Sequence, residues 1–398
     1  MASFSRPLLA LIMGQVCLHS CMAGVRVAGP LLALRSGQPA WAVGVLLGLF
    51  AAAPVLSSLY AGRLADRHGY HRPLRMAVSL TVVGGTLAVA ATWWTQAQFP
   101  LLCIAACLCG VGTNFGLIAN QRSAGKLADG DRAGLTRVFS WLGLAPAMSN
   151  VVGPVTAGAL IDLTGFRGAF VALTLLPFAA VWWSRQVPRE AVAAAAPVAG
   201  TKSAAWDILA MPGVGRLLLV NFLMSSSWDL HSFIVPVIGH ERGFSASAIG
   251  LILGVFAAAV ASVRVVLPFL SHRLREHQVL AAAMLLTAGV FCVYPLMHNA
   301  WLMGLCAAAL GLALGAVNPM VMTSLHHLTP GHRHGEAIAL RSMTVNATSA
   351  VMPLVFGAAG AAVGASALFW AMGAAVGMGS WQARRMGQVL ALGSDTKP

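Results

Sequence analysis

The chain has 398 residues, of which 58% are hydrophobic and only 9% are charged, and its mean hydropathy is +0.78. Because soluble globular domains carry about 25% charged residues, this composition excludes a cytosolic enzyme, a disordered protein and a soluble nucleic-acid-binding protein. The formal net charge is +14, but the basic residues lie in short segments between apolar runs and not on a folded basic face of the kind that binds nucleic acid. The composition therefore predicts a protein of the lipid bilayer with no nucleic-acid partner.

Apolar runs of about 20 residues are long enough to cross a bilayer as helices, and they recur along the whole chain. The first run continues to Leu34 without a small-residue cleavage site, so we interpret it as a span and not as a signal peptide. The twelve predicted spans are 8–34, 41–61, 73–95, 100–121, 138–161, 168–187, 215–239, 246–270, 277–297, 301–325, 338–361 and 364–383.

The two halves of the chain resemble each other. The segment Ala42–Ala53 is similar to Ala248–Ala259 at an offset of 206 residues, and the same offset aligns Pro30 with Pro236. Parallel repeats of this kind are typical of one large class of transporters. We therefore expect an N-terminal six-helix bundle over 1–187, a cytoplasmic linker over 188–214 and a C-terminal six-helix bundle over 215–398.

The segment after the second span reads GRLADRHGYHRPL and begins at Gly62. It resembles the loop signature G-x-L-a-D-r-x-G-r-r/k of the major facilitator superfamily. The matching residues are Gly62, Leu64, Asp66, Arg67, Gly69 and Arg72. The resemblance covers the whole chain and implies an all-α membrane protein, a monomer of two six-helix halves that transports a small molecule by alternating access.

This loop signature has a physical interpretation as a conformational switch. Gly62 and Gly69 are expected to permit close helix approach and a tight turn, and Asp66 to accept hydrogen bonds from a helix N-terminus. Arg67 or Arg72 is expected to bridge to another loop. The alternative is a basic loop that is merely solvated.

Two further signatures bear on the type of transport. Gly153, Pro154 and Gly158 match part of the fifth-span signature carried by exporters of this family, which implies export, whereas a generic helix kink is the alternative. The family's fourth-span signature fails, because Ala106 stands where relatives have the arginine linked to proton movement. Proton coupling by that route is therefore not expected.

Ionisable residues inside spans are costly and therefore informative. Asp229 is the only carboxylate within a predicted span, and Arg26 lies in the first span. The 206-residue offset places the two within about 4.5 Å in depth, and in the family fold their spans face each other. We expect Asp229 to be the proton-linked carboxylate and Arg26 the anion contact of one cavity couple, with a fixed structural bridge as the alternative.

Other side chains within spans are weaker candidates for the substrate or proton site. Arg264 either contacts substrate or extends to the inner surface. Trp228 suits an aromatic substrate or packs in the core, and His231 is a proton-site candidate or a packed polar residue. The remaining candidates are the amides Asn114, Asn318 and Asn346, which are expected on interior faces. A His-rich segment over 326–336, with four His and one Glu, matches no specific zinc pattern, so we expect a cytoplasmic loop partly charged by protonation, with metal binding as the alternative. No cofactor is expected.

No G-x-x-x-x-G-K-[ST] motif is present, so an ion gradient and not ATP is the expected energy source. Two span arginines against one aspartate disfavour cationic substrates and favour neutral or anionic ones. The predicted function is proton-linked efflux of a small neutral or anionic amphipathic compound, resembling the drug/proton antiporters with twelve spans. Proton-coupled uptake of an organic anion is the first alternative, and a membrane receptor without flux is the second.

The charge distribution predicts the orientation in the membrane. With a cytoplasmic N-terminus, most of the 25 Lys and Arg residues lie on the inner side, as the positive-inside rule requires. We expect a bacterial inner-membrane protein with both termini in the cytoplasm. Fused to the C-terminus, green fluorescent protein should fluoresce and alkaline phosphatase should be inactive, and the opposite pair of results would contradict the orientation.

Overall fold

The computed structural model describes residues 6–127, 142, 144–189, 207, 209–270, 275–329 and 334–394. Within these ranges the chain is almost entirely α-helical and contains no strand, which confirms the predicted fold class. The element Leu144–Ser184 contains two helices, because Gly165 has φ 73° and ψ 176°. The helices are α1 (Arg6–Arg35), α2 (Ala40–His68), α3 (His71–Ala90), α4 (Gln98–Leu127), α5 (144–164), α6 (166–184), α7 (Val214–Glu241), α8 (Ala246–Leu270), α9 (Glu276–Val293), α10 (Ala300–Leu328), α11 (His334–Val363) and α12 (Ala365–Ser394).

Each predicted span corresponds to one of these helices. Among the described residues, nine stretches are long and apolar enough to cross a membrane, with Ala145–Ser184 counted once. Helix α7 is not one of them, and it carries Ser226, Ser227, Asp229 and His231 in its middle, all of them buried. The polar face of α7 is therefore covered by protein. Average hydropathy along the sequence does not take such burial into account.

The helices extend beyond the apolar cores that predicted them. Helix α2 continues to His68 although its span was predicted to end at residue 61, and α4 continues to Leu127 and not to residue 121. A backbone that leaves hydrocarbon remains hydrogen-bonded as a helix, whereas hydropathy marks only the apolar part. The segment that was predicted to be a loop after the second span is therefore mostly helical.

The described residues fall into two compact units. Those of Met1–Val198 together with Gly239–Gly254 form the first unit, and those of Ala199–Ile238 together with Val255–Pro398 form the second. In the first unit α1 packs most extensively against the element Leu144–Ser184, and α3 packs against α4. In the second unit α9 packs against α10 and α12. The predicted division into two bundles with a linker over 188–214 stays a prediction.

Helix α1 lies in the interior of the first unit. Of its most apolar 18 residues, 72% are buried, a larger share than in any of the other eight stretches that could cross a membrane. Its core contacts include Leu11 and Leu18, which belong to one cluster with Tyr70 of the α2–α3 connection and Phe115 of α4. Residues along α1 are therefore placed where side chains from several helices meet.

Small residues allow a close helix approach between α3 and α4. A Cβ added at Gly84 would lie 2.8 Å from Cys109 Sγ and 3.0 Å from the carbonyl oxygen of Ala105. A Cβ at Gly112 would lie 2.7 Å from the carbonyl oxygen of Ala77. Packing through glycine is a common mode of helix association in membranes.

Gly112→Ala should destabilise the protein, because the new methyl group meets backbone that cannot move aside. We expect a loss of about 1–3 kcal/mol, as is usual for overpacking. The matched control is Gly304→Ala on α10, where a Cβ meets nothing within 4 Å. The measurement is thermal unfolding in detergent, and an equal midpoint for Gly112→Ala and the control would contradict the close packing.

Candidate functional site

The loop-signature residues surround the end of α2. Gly69 is the C-cap, with φ 66° and ψ −152°, and its N–H donates to the carbonyl oxygen of Ala65. A side chain is strained at this φ, so the predicted tight turn is confirmed. The expected close helix approach at Gly62 is wrong, because a Cβ there would meet nothing within 4 Å.

The charged members of the signature are largely in contact with solvent. Arg67 and Arg72 are exposed, and neither forms a hydrogen bond or ion pair with another described side chain. The side chain of Asp66 lies outside the described part of the structure. The expected contacts of Asp66 with a helix N-terminus and of the arginines with another loop stay predictions.

The three matching residues of the fifth-span signature lie at two close helix contacts of the first unit. A Cβ at Gly153 would lie 2.8 Å from the carbonyl oxygen of Ser20 on α1. A Cβ at Gly158 would overlap the carbonyl oxygen of Ala246 on α8, and a Cβ at Gly250 would overlap that of Pro154. Helix α5 is therefore held against α1 on one side and against the start of α8 on the other.

Proline does not interrupt this helix. The backbone of α5 stays helical through Pro154, and the non-helical residue is Gly165, beyond the signature. Within the signature, the glycines provide close packing rather than a break in the helix. Close packing of α5 against α1 and α8 therefore explains these residues better than a generic helix kink does.

Asp162 caps the start of α8. Its Oδ1 accepts a hydrogen bond from the N–H of Ala246 at 3.1 Å, and its Oδ2 accepts one from the N–H of Ser247 at 2.7 Å. These N–H groups have no partner within their own helix, and the positive end of the helix dipole favours a carboxylate there. Sequence reasoning assigned Asp162 no role. The sequence feature that could have indicated this role is the spacing of four residues between Gly158 and Asp162, because residues four apart share one helix face.

Two amide side chains connect helices of the first unit. Asn114 Nδ2 on α4 donates to Ser58 Oγ on α2 at 3.0 Å, so this predicted site residue takes part in helix pairing. Asn120 Nδ2 donates to Gln15 Oε1 on α1 at 2.8 Å, and both of these side chains are fully buried. Gln15 and Asn120 were not singled out from the sequence, because an amide at one face of an apolar helix has no distinctive spacing.

Asp229 is buried on α7, with 2% of its surface exposed. Ser349 Oγ on α11 donates to its two carboxylate oxygens at 3.3 and 3.2 Å. Among the described residues it is the only buried carboxylate. The predicted intramembrane acid is therefore enclosed by protein of the second unit and has a hydroxyl partner.

His231 lies on a different face of α7 from Asp229. Its imidazole is fully buried, 4.4 Å from the ring of Phe256 and 5.8 Å from the ring of Tyr294. Neither ring nitrogen has a hydrogen-bond partner. Trp228 contacts the same Phe256 edge to face at 4.7 Å. Packing in an aromatic cluster is thus the observed environment of both predicted residues.

Arg26 is half-buried on α1. It belongs to the first unit, whereas Asp229 belongs to the second. The predicted pairing of Arg26 with Asp229 stays a prediction.

Sequence reasoning assigned Arg341 no role at the site. Arg341 lies within α11 and is half-buried, and its Nη2 donates to Asn318 Oδ1 on α10 at 2.5 Å. Arg264 on α8 is half-buried, and its neighbour Val263 lies at a close contact with α10, where a Cβ at Gly315 would be 2.9 Å from the Val263 Cβ. Asn346 is exposed. Arg341 was missed because it stands at the edge of an apolar run, where a loop residue and a helical residue have the same sequence context.

The His-rich segment lies partly outside the described residues. Among the side chains that the structure describes, no group of three His, Cys, Asp or Glu residues is placed to hold a metal ion. His327 Nδ1 lies 3.9 Å from Glu276 Oε1 on α9.

A family model described as Major Facilitator Superfamily matches residues 11–214 and again residues 217–385. The chain belongs to the major facilitator superfamily. It is therefore a multi-pass membrane transporter, and the double match agrees with the internal repeat.

Similar proteins share this architecture. The tetracycline resistance protein, class B, of Escherichia coli is 23% identical over 328 residues, which are 79% of this chain and 77% of that protein. A POT family transporter solved in complex with 5-aminolevulinic acid has a TM-score of 0.77 at 12% identity, covering 100% of this chain and 98% of its own. A bacterial homologue of the iron transporter ferroportin, solved in the inward-facing state, has a TM-score of 0.73 at 16% identity, covering 96% and 99%. The two structures agree with the fold of this transporter.

The cap on α8 gives a testable prediction for this transporter. Asp162→Ala removes both acceptors of the α8 N–H groups and should destabilise the protein by about 0.5–1 kcal/mol. Asp162→Asn should have a smaller effect, because it keeps one acceptor oxygen. The measurement is thermal unfolding in detergent, with Asp207→Ala, an exposed carboxylate, as the control. Equal unfolding midpoints for Asp162→Ala and wild type would contradict the capping role.

Proposed function

We propose that this transporter couples the export of a small neutral or anionic amphipathic compound to proton entry by alternating access. Two observations support export. The relative from Escherichia coli is a tetracycline resistance protein and aligns over most of both chains. The exporter-type glycines Gly153 and Gly158 lie at close helix contacts, where their lack of a side chain has a structural use.

Asp229 is proposed as the proton-binding group, and its burial is the observation that carries the proposal. An ionised carboxylate is costly inside a membrane protein, so a buried one favours either a cationic partner or a bound proton. The hydroxyl of Ser349 serves both states, because it donates to a carboxylate and accepts from a carboxylic acid. Protonation of Asp229 therefore leaves it with a hydrogen-bond partner.

Arg26 is proposed as the anion contact. The family's fourth-span arginine is absent at Ala106, so coupling needs another cation. When an anionic substrate binds Arg26, the positive charge of Arg26 stabilises the Asp229 carboxylate less. Asp229 then takes up a proton more readily. Substrate and proton movement are linked in this way without the missing residue.

Proton-coupled uptake of an organic anion is the second candidate function. It is supported by the half-buried Arg264 and Arg341, which suit an anionic substrate. The two candidates differ in direction. Deleting the gene should raise accumulation of the substrate in cells if the protein exports it, and lower accumulation if the protein imports it.

The coupling role of Asp229 is testable in proteoliposomes with an imposed pH gradient. Asp229→Asn should abolish the dependence of flux on the gradient, because an amide does not exchange a proton. Arg26→Ala should lower the flux at every pH. Asp207→Asn replaces an exposed acid and should keep the wild-type rate and pH profile.

The substrate for this assay comes from a library screened by thermal shift on the purified protein. Wild-type rate and wild-type pH dependence in both Asp229→Asn and Arg26→Ala would refute the coupling mechanism.

A further inference from the structure

Two half-buried arginine residues of the second unit lie on helices that both meet α10. Arg264 precedes the end of α8 at Leu270, and Arg341 follows the start of α11 at His334. At a rise of 1.5 Å per residue, each lies about 10 Å from its helix end. A Cβ added at Gly315 on α10 would lie 2.9 Å from the Cβ of Val263, the neighbour of Arg264, so α8 meets α10 close to the position of Asn318.

The third member of this region is Asn318 on α10. Its Oδ1 accepts the hydrogen bond from Arg341 Nη2, which fixes the direction of that arginine and leaves the Nδ2 hydrogens of Asn318 as donors. The Nε atoms of Arg264 and Arg341 are buried and have no hydrogen-bond partner. Three side chains from three helices thus present N–H donors.

Extension of the two arginine side chains toward the membrane surface does not explain this arrangement. Arginines that extend to the surface place their charged groups in water, where two like charges are free to move apart. Here Arg341 is bound to Asn318, ten residues before the end of α10 at Leu328. Asn318 is exposed and both arginines are half-buried, and the two cations repel each other. Among the side chains that the structure describes, no carboxylate is paired with either arginine.

We infer that Arg264, Arg341 and Asn318 form a binding site for an oxyanion, the carboxylate or phosphate group of a ligand. An oxyanion neutralises the repulsion and accepts hydrogen bonds from several donors at once, and the planar arginine fork matches both group types. As part of the substrate path, this site rests on the proposed function and gives its substrate an anionic group. The same chemistry is presented by a substrate and by the headgroup of an anionic lipid.

Equilibrium binding to the purified wild-type protein in nanodiscs of neutral phosphatidylcholine tests the site, with benzoate and inorganic phosphate as probes. Arg264→Gln and Arg341→Gln should each raise the Kd of at least one probe by about 10- to 100-fold, because a hydrogen bond to a charged group has about that strength. Arg341→Lys should recover part of the affinity, since it restores the charge without the fork. Asn318→Ala should give a smaller loss.

The matched control is Arg216→Gln, which removes one positive charge from an exposed position of α7. A Kd that is unchanged in both Arg264→Gln and Arg341→Gln, or that rises equally in Arg216→Gln, would overturn the site. Glu336→Gln tests whether a carboxylate of the chain occupies the site. Affinity that appears only in that variant would also overturn it.

Nanodiscs with anionic phosphatidylglycerol separate the two sources of the ligand. If a lipid headgroup occupies the site, phosphate binds more weakly in these discs than in neutral ones, and Arg341→Gln removes the difference. If a soluble anion occupies it, the two disc types give the same Kd. Because binding is measured without flux, loss of gradient-driven transport in Asp229→Asn is an independent result, and either proposal can fail alone.

Discussion

The second unit depends on one constraint, that polar and charged groups on a membrane-spanning helix are shielded by protein. Helix α7 carries Asp229 and His231 in its middle, and both are buried. The carboxylate is bonded to Ser349 on α11, whereas the imidazole is enclosed by Phe256 and Tyr294. Such groups are expensive in hydrocarbon and mark functional positions by default. The polarity that keeps α7 below the hydropathy threshold for a span is also what makes it the candidate proton helix.

The first unit solves a packing problem with small residues and one carboxylate. Gly153 lets α5 approach α1, and Gly158 with Gly250 lets it approach α8. Asp162, one turn beyond Gly158, then satisfies two N–H groups at the start of α8. Glycines stand where the helix backbones meet, and a carboxylate stands at the positive end of the α8 dipole. The contact combines shape and electrostatics, so it is sensitive to substitutions of both kinds.

The charges of the chain separate into two populations with different physical roles. Exposed arginines such as Arg67 and Arg72 lie at helix ends, where they are in contact with solvent. Arg26, Arg264 and Arg341 are half-buried within helices, where a planar, weakly hydrated guanidinium group suits the anion contacts that we propose for them. Composition does not distinguish the two populations, because both count equally toward the net charge of +14.

The sequence alone determined the all-α architecture, the family and the buried acid of α7. Hydrophobic length, a repeat at fixed offset and the loop signature are properties of consecutive residues, so they are readable without coordinates. The tight turn at Gly69 was predictable for the same reason, since it depends on local backbone geometry.

Only the tertiary structure decided which residues meet. The open surroundings of Gly62, the cap supplied by Asp162 and the hydrogen bond of Arg341 with Asn318 depend on contacts between helices distant in sequence. One apolar run predicts a helix, but the rotation of that helix about its own axis is set by its neighbours. These rotations determine which side chains come together in the candidate site.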